Sequence, residues 1–208
     1  MKKRYIFDLD CTLLTTDFTK TDGYFVDVFG EPATDFSANV SKHLHTYEMT
    51  HRKYDMKSLS EYLTMVSGLD INEKVINDWI SELTSVLDFK EEEVERVLDT
   101  LKRQDKSLAV LTNWIASNQI PRLERAGLID YFDEIYTGDQ VLKPHKESYI
   151  TAAKGYNPQE VLFIGDNVDL DYIGPKACGY EAILYDKKDI HHKTLKKVKK
   201  LGEILTRE

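Results

Sequence analysis

The chain is poor in cysteine, and this scarcity argues against two common ways of stabilising a small protein, disulfide bonds and a zinc site. It has two cysteines, Cys11 and Cys178, which lie far apart and belong to no group with metal-ligand spacing. Disulfide frameworks and structural zinc sites use several cysteines at short, regular intervals. We therefore expect two reduced thiols and neither a disulfide framework nor a zinc site.

Long hydrophobic runs and an excess of positive charge are also lacking. With 28 basic and 36 acidic residues, the formal net charge is −8, which works against attraction to nucleic acid or to an anionic membrane surface. No apolar run reaches the roughly 18 residues of a membrane span, and the short one near the N-terminus is too interrupted by acids for a signal peptide. We therefore expect a cytoplasmic protein that binds neither nucleic acid nor a membrane.

Short apolar segments rich in β-branched residues alternate with helical patterns over much of the chain. The segments have the continuous apolar character of strands that are buried on both faces. This alternation predicts an α/β fold with a doubly wound parallel sheet. The predicted strands are RYIF, SLAVLT, EIYTG, EVLFIG and EAILYD, and the predicted helices between them are EEEVERVLDTLKR, SNQIPRLERAGL and KESYITAAKGY.

The tail adds one more predicted helix. It places Leu195, Val198, Leu201 and Leu205 on one side with lysines opposite, a pattern typical of an amphipathic helix with a solvated face. We therefore expect a C-terminal helix that packs on the core and does not bind nucleic acid.

Residues 15–89 interrupt the alternation of strands and helices. A structureless connection of that length is implausible inside a compact domain, and helical apolar spacing occurs in it near residues 22–30, 36–54, 58–67 and 72–87. The sequence therefore predicts an inserted bundle of about four helices, residues 15–89, and an α/β core made of residues 1–14 and 90–208.

Polar residues follow the predicted strands at the points where these end. Ligands of a doubly wound sheet bind outside the carboxyl ends of its strands, so the loops there bring their side chains to one place. A single D-x-D could be a turn or a helix cap, but four polar groups in this order are hard to explain as independent caps. These groups are Asp8 with Asp10, Thr112 with Asn113, Lys143, and Asp166 within GDNVDLD.

This set resembles the haloacid dehalogenase (HAD) superfamily of phosphohydrolases, whose first motif, D-x-D-x-T, is matched by Asp8, Asp10 and Thr12. The resemblance implies a Rossmann-like core and places the inserted helices where the family has a helical cap. It also implies that Thr112 matches the second motif, that Lys143 matches the third, and that the fourth contains two acids. Those acids are Asp166 and Asp171, with Asp169 as the alternative at poorer spacing.

The resemblance also implies a role for each motif residue. Asp8 is the nucleophile that forms an aspartyl-phosphate, and Asp10 is the general acid and base. Thr112 and Asn113 bind the phosphate together with Lys143, which also restrains Asp8. A Mg²⁺ cofactor would be held by Asp8, Asp166 and the backbone carbonyl of Asp10. Asp171 would orient either Lys143 or the water around the metal.

These assignments favour a Mg²⁺-dependent phosphatase that hydrolyses a small phosphorylated metabolite. A dehalogenase needs neither a proton donor such as Asp10 nor a metal ligand such as Asp166. Two alternatives stay open: a sugar-phosphate mutase with the same acids, and a non-catalytic protein that binds phosphometabolites. The sequence does not distinguish among nucleoside monophosphate, sugar phosphate, phosphoglycolate and pyrophosphate as substrates, and it does not predict the oligomeric state.

Two local features depart from the family pattern or stay ambiguous. Cys11 stands where the family commonly has glycine, so an effect of its thiol on activity is left open. In the inserted helices, four basic residues could reach an anionic ligand, although solvated helix positions explain them as well. These residues are His43, His45, Arg52 and Lys53.

Overall fold

Within the residues that the structure describes, six parallel strands form the central sheet and eight α-helices accompany them. The structure is a computed structural model that describes residues 1–17 and 23–206. Its strands are β1 (Arg4–Phe7), β2 (Leu14–Thr16), β3 (Asp88–Lys90), β4 (Ser107–Leu111), β5 (Glu134–Tyr136), β6 (Val161–Gly165), β7 (Glu181–Tyr185) and β8 (Lys197–Val198). Its helices are α1 (Tyr24–Phe29), α2 (Thr34–Thr50), α3 (Met56–Ser67), α4 (Glu73–Ser85), α5 (Val94–Arg103), α6 (Ala116–Arg125), α7 (Lys146–Ala153) and α8 (Gly174–Ala177).

The strand order in the sheet is β5-β4-β1-β6-β7-β8, and every neighbouring pair is parallel. β1 lies in the middle, with Phe7 opposite Val110 on one side and Ile164 on the other. The chain therefore builds the sheet outward in two directions from β1, which creates a crevice at the carboxyl ends of β1, β4 and β6. The predicted doubly wound parallel sheet is confirmed.

The two faces of the sheet are buried by alternate residues of the same strands, as the two-residue period of a strand requires. Tyr5 and Phe7 point into a cluster with α5, whereas Ile6 points into a cluster with α7. Such two-sided burial explains why the strands appear in the sequence as continuous apolar runs.

In its described part, the insertion contains four α-helices, α1 to α4, as its apolar spacing predicted. The start of the first predicted helix, at residue 22, lies outside the described residues. A separate apolar cluster holds these helices together and includes Ile115 and Leu142 from loops of the sheet. α3 and α4 begin at side-chain caps, because Asp55 accepts from the Ser58 amide and Asn72 from the Val75 amide.

Strands β2 and β3 pair antiparallel where the chain enters and leaves the four helices. Leu14 lies opposite Lys90, and Thr16 lies opposite Asp88. The insertion therefore joins the sheet through a two-stranded ladder. The division at residues 15 and 89 stays a prediction.

The predicted amphipathic C-terminal helix is wrong. The tail instead forms the edge strand β8, beside β7, and a 3₁₀-helix at Leu201–Thr206. Val198 and Leu201 are still buried, in the cluster with α5, whereas Leu195 and Leu205 are half-buried. Leu195 precedes β8, Val198 lies in it, and only Leu201 and Leu205 belong to the 3₁₀-helix. The helical spacing of these four residues therefore did not correspond to one continuous helix.

One further property concerns membranes. Within residues 1–17 and 23–206, no helix has both the length and the apolar character that crossing a membrane requires.

Candidate active site

The loop after β1 carries Asp8 and Asp10 to the carboxyl end of the sheet and turns sharply. The carbonyl of Leu9 accepts the amide of Leu13 at 2.9 Å, which closes a tight turn. Within it, Cys11 has a φ of 61°, in the left-handed region where glycine is favoured. This conformation gives a physical reason why a glycine would suit this position.

The thiol of Cys11 lies among the carboxylates of the site. Burial, together with the charges of Asp166 and Asp10, raises its pKa to about 11. Because the thiolate is the reactive form of cysteine, Cys11 stays protonated and weakly nucleophilic near neutral pH.

Lys143 connects two acids of the site. Its Nζ donates to Oδ1 of Asp8 at 2.7 Å and to Oδ1 of Asp171 at 2.6 Å. Burial alone would lower the pKa of Lys143, but the charges of Asp171 and Asp8 raise it well above its usual value. The lysine is 3% exposed, so it is a fixed positive charge that holds the carboxylate of Asp8.

The backbone of Lys143 is fixed by Asn113, which follows β4. The Asn113 side-chain amide donates to the Lys143 carbonyl at 2.9 Å, and its oxygen accepts the Lys143 amide at 2.8 Å. Asn113 therefore holds the loop of the lysine. Its predicted contact with phosphate stays a prediction.

Three carboxylates gather where β1 and β6 end. Asp8, Asp166 and Asp171 each offer an oxygen, and these oxygens all lie within 4.8 Å of one another. Burial raises the pKa of Asp8 well above its usual value, against the opposing charge of Lys143. Burial and the charge of Asp171 raise the pKa of Asp166 to about 6. The raised pKa values mean that the negative charge of these carboxylates is unfavourable in the absence of a cation. Such a cluster of oxygen ligands fits a hard divalent cation such as Mg²⁺.

Asp171 reaches this cluster from a π-helical turn, Val168–Ile173, that follows β6. Its second oxygen accepts the amide of Asn167 at 3.1 Å. A Cβ on Gly165 would lie 2.3 Å from Cγ of Asp171, so only glycine leaves room for this side chain. Asp169 is exposed on the same turn, and of the two acids it is therefore Asp171 that joins the cluster.

Asp10 points away from this cluster and contacts helix α6. Its Oδ1 accepts from Nη2 of Arg122 at 2.6 Å, and its Oδ2 accepts from Nε2 of Gln119 at 2.8 Å. The same Nε2 lies 2.9 Å from the hydroxyl of Thr112, which is buried at the end of β4. Gln119 thus connects Thr112, of the second predicted motif, to Asp10, the second acid of the first motif.

Arg122 extends this network to the strands of the insertion. Its guanidinium is fully buried and donates to Oδ1 of Asp88 on β3, at 2.8 Å from Nη2 and 3.0 Å from Nε. It also donates to the hydroxyl of Thr16 on β2 at 2.7 Å. One arginine therefore contacts both Asp10 and the two-stranded ladder.

Gln119 and Arg122 were not among the site residues predicted from the sequence. They lie three residues apart, on the buried face of α6 together with Leu123. Polar residues at the spacing of a buried helical face were the available signal, since a buried arginine needs partners. Nothing in the local pattern named Asp10 and Asp88 as these partners.

A cavity of about 250 Å³ opens beside Asp10, between α6 and the inserted helices. Asp10 and Arg122 form its polar end, and the rest of the lining is aromatic, aliphatic or hydroxyl-bearing. These residues are Phe25, Ser37, Val40, Ser41, Leu44, Trp79, Leu83 and Trp114.

The four basic residues suggested by the sequence do not line this cavity. His43 stacks on Phe36 with ring centroids 5.5 Å apart, and Arg52 pairs with Glu147 at 3.1 Å. His45 and Lys53 are exposed. In the described part of the chain, the inserted helices therefore face the cavity with apolar and hydroxyl groups.

Comparison with known proteins agrees with this geometry. A family model described as "Haloacid dehalogenase-like hydrolase" matches residues 5–185. The chain is 30% identical over 192 residues to pyrimidine 5′-nucleotidase YjjG of Escherichia coli, an alignment that covers 83% of this chain and 81% of that protein. It is also 30% identical over 112 residues to ribulose-1,5-bisphosphate 5-phosphatase of Halopiger xanaduensis.

The second alignment covers 52% of this chain and 45% of that phosphatase, so the chain spans less than half the length of this relative. Among solved structures, the magnesium-bound HAD-hydrolase YfnB of Bacillus subtilis has a TM-score of 0.74 at 18% identity, and covers 99% of this chain and 98% of its own. That similarity concerns the fold. The family match and the nucleotidase alignment show that the chain belongs to the haloacid dehalogenase-like hydrolases.

Proposed function

We propose that this protein is a Mg²⁺-dependent phosphatase that hydrolyses a small phosphate monoester through an aspartyl-phosphate on Asp8. The observation that supports this most is the bond from Lys143 to Asp8 inside the cluster of carboxylates. The buried lysine fixes one carboxylate oxygen of Asp8 and leaves the other oxygen to attack phosphorus. The names of the two curated relatives, a nucleotidase and a bisphosphate phosphatase, point to the same reaction class.

In the first half of the reaction, an oxygen of Asp8 attacks phosphorus while the bond to the leaving oxygen breaks. A proton on Asp10, regained from water in the second half of each cycle, passes to that leaving oxygen. Thr112, at the end of β4, binds a phosphoryl oxygen, and Lys143 offsets the negative charge that develops. Bound Mg²⁺, held by Asp8, Asp166 and the backbone carbonyl of Asp10, would shield the carboxylates from the phosphate.

In the second half, Asp10 takes a proton from water, and this water attacks the phosphorus of the aspartyl-phosphate. The acyl phosphate bond breaks, inorganic phosphate leaves and Asp8 is regenerated. Asp171 keeps Lys143 in place throughout, since it binds the same Nζ as Asp8. Residues 15–89 act as a cap that excludes water from the first half.

The same site would serve two other reactions less well. A haloacid dehalogenase expels a halide, which needs neither a proton from Asp10 nor a divalent cation near Asp166. A sugar-phosphate mutase would return the phosphoryl group to its substrate, but the cavity beside Asp10 is mostly apolar and suits a polyhydroxylated sugar poorly. We propose a cytoplasmic location, where Cys11 and Cys178 stay reduced.

The test is phosphate release from a panel of phosphate monoesters, with Mg²⁺ and with EDTA. The Asp8→Asn variant should release no phosphate, while Asp169→Asn, an exposed acid two residues from Asp171, should behave as wild type. Asp8 should also carry a phosphoryl group that is detected by mass spectrometry after acid quenching. Metal-independent halide release from a 2-haloacid would point to a dehalogenase, and phosphorylated Asp8 without phosphate release to a mutase.

A further inference from the structure

We infer that Glu48, on helix α2, is a positioning residue. It holds the lysine loop, residues 138–145, in the geometry in which Lys143 binds the nucleophile Asp8. The mechanism above does not use this side chain. The inference goes beyond the proposed function, but its kinetic test rests on that function.

The first observation is a main-chain connection between the inserted helices and the lysine loop. The α2–α3 linker, residues 51–55, lies against this loop. The carbonyl of Arg52 accepts the amide of Leu142 at 3.0 Å, and the amide of Tyr54 donates to the carbonyl of Gly138 at 2.7 Å. Because Leu142 directly precedes the lysine, a movement of the linker would move the lysine as well.

The second observation is how closely three segments approach one another at Gly138. A Cβ on this residue would lie 2.0 Å from the carbonyl oxygen of Asn113 and 2.8 Å from Cδ2 of Tyr54. The Gly138 amide donates to the carbonyl of Trp114 at 2.8 Å. The loop after β4, the lysine loop and the α2–α3 linker are therefore packed together, and close-packed segments transmit displacements to one another.

The third observation is the carboxylate of Glu48, which lies beside these segments. Its Oε1 accepts from the hydroxyl of Tyr54 at 2.7 Å, and Tyr54 is 2% exposed. Burial raises the pKa of Glu48, while hydrogen bonding from Tyr54 and Asn113 and the charge of Lys143 oppose this rise. A buried carboxylate is costly unless such partners face it. Glu48 therefore favours the arrangement in which the linker and the two loops are in place.

The fourth observation is a series of contacts that leads from this carboxylate to the nucleophile. The side chain of Asn113, which faces Glu48, binds both the amide and the carbonyl of Lys143. The Nζ of Lys143 in turn donates to Asp8. Glu48 thus acts on Asp8 through Asn113 and Lys143, which makes it a positioning residue and not a catalytic one.

The first test measures kcat and KM for p-nitrophenyl phosphate with Mg²⁺. Glu48→Ala removes the carboxylate but keeps the main-chain carbonyl, which lies 2.9 Å from Nε2 of His145. We expect kcat to fall about 10- to 100-fold and KM to change less than about threefold, because the ester still binds while Asp8 is misplaced. Glu48→Gln keeps an oxygen that accepts from Tyr54, so its kcat should return to within about threefold of the wild type.

Glu147→Ala is the matched control. This acid lies at the same junction, where it pairs with Arg52 at 3.1 Å, but its side chain is 66% exposed. Loss of an exposed pair should leave both kcat and KM unchanged. Rates are compared well below the Tm of each variant, so that a partly unfolded protein does not resemble a slow one.

The second test does not depend on activity. Amide hydrogen exchange in a peptide covering residues 138–145, measured by mass spectrometry, should be roughly 2- to 10-fold faster in Glu48→Ala than in the wild type. The reason is that the Leu142 amide is protected by its bond to Arg52 of the linker. Exchange in β6, which lies in the middle of the sheet, should not change.

The two hypotheses fail differently. If the wild type releases no phosphate with Mg²⁺ from p-nitrophenyl phosphate or from any ester of the panel, the phosphatase function is refuted, and the exchange experiment still decides whether Glu48 holds the lysine loop. A Glu48→Ala protein with the kcat of the wild type would refute the positioning role alone. So would a loss that Glu48→Gln does not reverse, or unchanged exchange in residues 138–145.

Discussion

Replacing Arg122 by methionine should destabilise the protein far more than replacing Arg125, although both arginines bind the same acid. Arg122 donates to Asp88 from a side chain that is 1% exposed, and Asp88 itself is 3% exposed. Removing one partner of a buried ion pair leaves an uncompensated charge and costs about 3–5 kcal/mol. Methionine fills a similar volume and adapts to its surroundings, so the loss would come from the charge and not from a cavity.

Arg125 is the matched control. It donates to Asp88 at 2.7 Å, but its side chain is 38% exposed, so water replaces the lost contact. Exposed pairs contribute roughly 0–1 kcal/mol, and Arg125→Met should lower the free energy of unfolding by no more than that. Urea unfolding, monitored by the fluorescence of Trp79 and Trp114, measures both variants.

The stability difference between the wild type and Arg122→Met should also depend on pH. Burial alone would raise the pKa of Asp88, but hydrogen bonds from Arg122 and Thr16 lower it in the folded protein. A lowered pKa stabilises the wild type above the usual aspartate range, and this stability is lost as the pH falls through the folded pKa. In Arg122→Met, Asp88 keeps Arg125 but loses the buried guanidinium, so its carboxylate is less stabilised and its protonation in acid costs the variant less stability than it costs the wild type. The difference between the two proteins should therefore shrink between pH 7 and pH 4.

Two results would contradict this reasoning. If Arg122→Met lowers the free energy of unfolding by less than about 1 kcal/mol, the cost of desolvating the guanidinium cancels the stabilisation that its hydrogen-bond partners contribute. A double-mutant cycle with Asp88→Asn separates the pair from the remaining bonds of Arg122. An Arg122→Met penalty that is unchanged in the Asp88→Asn background would place the cost at Asp10 or Gln119.

Three further predictions concern the carboxylate cluster and its loops. Because the pKa of Asp166 is raised to about 6, protons should compete with Mg²⁺ and weaken its calorimetric affinity about tenfold per pH unit below 6; an affinity that is flat from pH 7.5 to 5 would exclude Asp166 as a ligand. The same raised pKa stabilises the metal-free protein below the usual aspartate pKa, and this contribution is lost as the pH rises through 6. Gly165→Ala should displace Asp171 and reduce phosphate release while the far-ultraviolet circular dichroism stays native, since its Cβ would lie 2.3 Å from Cγ of Asp171; full activity would show that Asp171 tolerates displacement. Cys11→Gly should raise the free energy of unfolding by up to about 1 kcal/mol, because relief of the positive φ is partly offset by the entropy of the unfolded chain; a clear loss in thermal denaturation would mean that the thiol packs favourably.

The parts of the site that could be predicted are those that depend on topology. A parallel sheet brings the carboxyl ends of its strands to one edge, so Asp8, Lys143 and Asp166 had to lie close together once the strands were recognised. Spacing alone also favoured Asp171 over Asp169. The roles of these residues in catalysis stay predictions that the phosphate-release assay would test.

The parts that could not be predicted depend on contacts between distant segments. Arg122 is 112 residues from Asp10 and 34 from Asp88, and no local pattern connects them. The tail failed for a different reason. The apolar spacing suited an α-helix, but Val198 lies in β8 and pairs with Tyr185 of β7, a contact that only the folded chain shows.

The structure also explains why two carboxylates, separated by one residue, can have different tasks. In a continuing strand Asp8 and Asp10 would point to the same face. Strand β1 ends at Phe7 instead, and the chain turns from Leu9 onward, so that Asp8 meets Lys143 while Asp10 meets Arg122. In-line displacement at phosphorus requires the nucleophile and the leaving oxygen to lie on opposite sides. Under the proposed mechanism, the acid next to the cavity is the one that can protonate a leaving group bound there, and the acid fixed by lysine is the one that attacks. The division of labour thus follows from one tight turn, and a change that straightened this turn would abolish both halves of the reaction together.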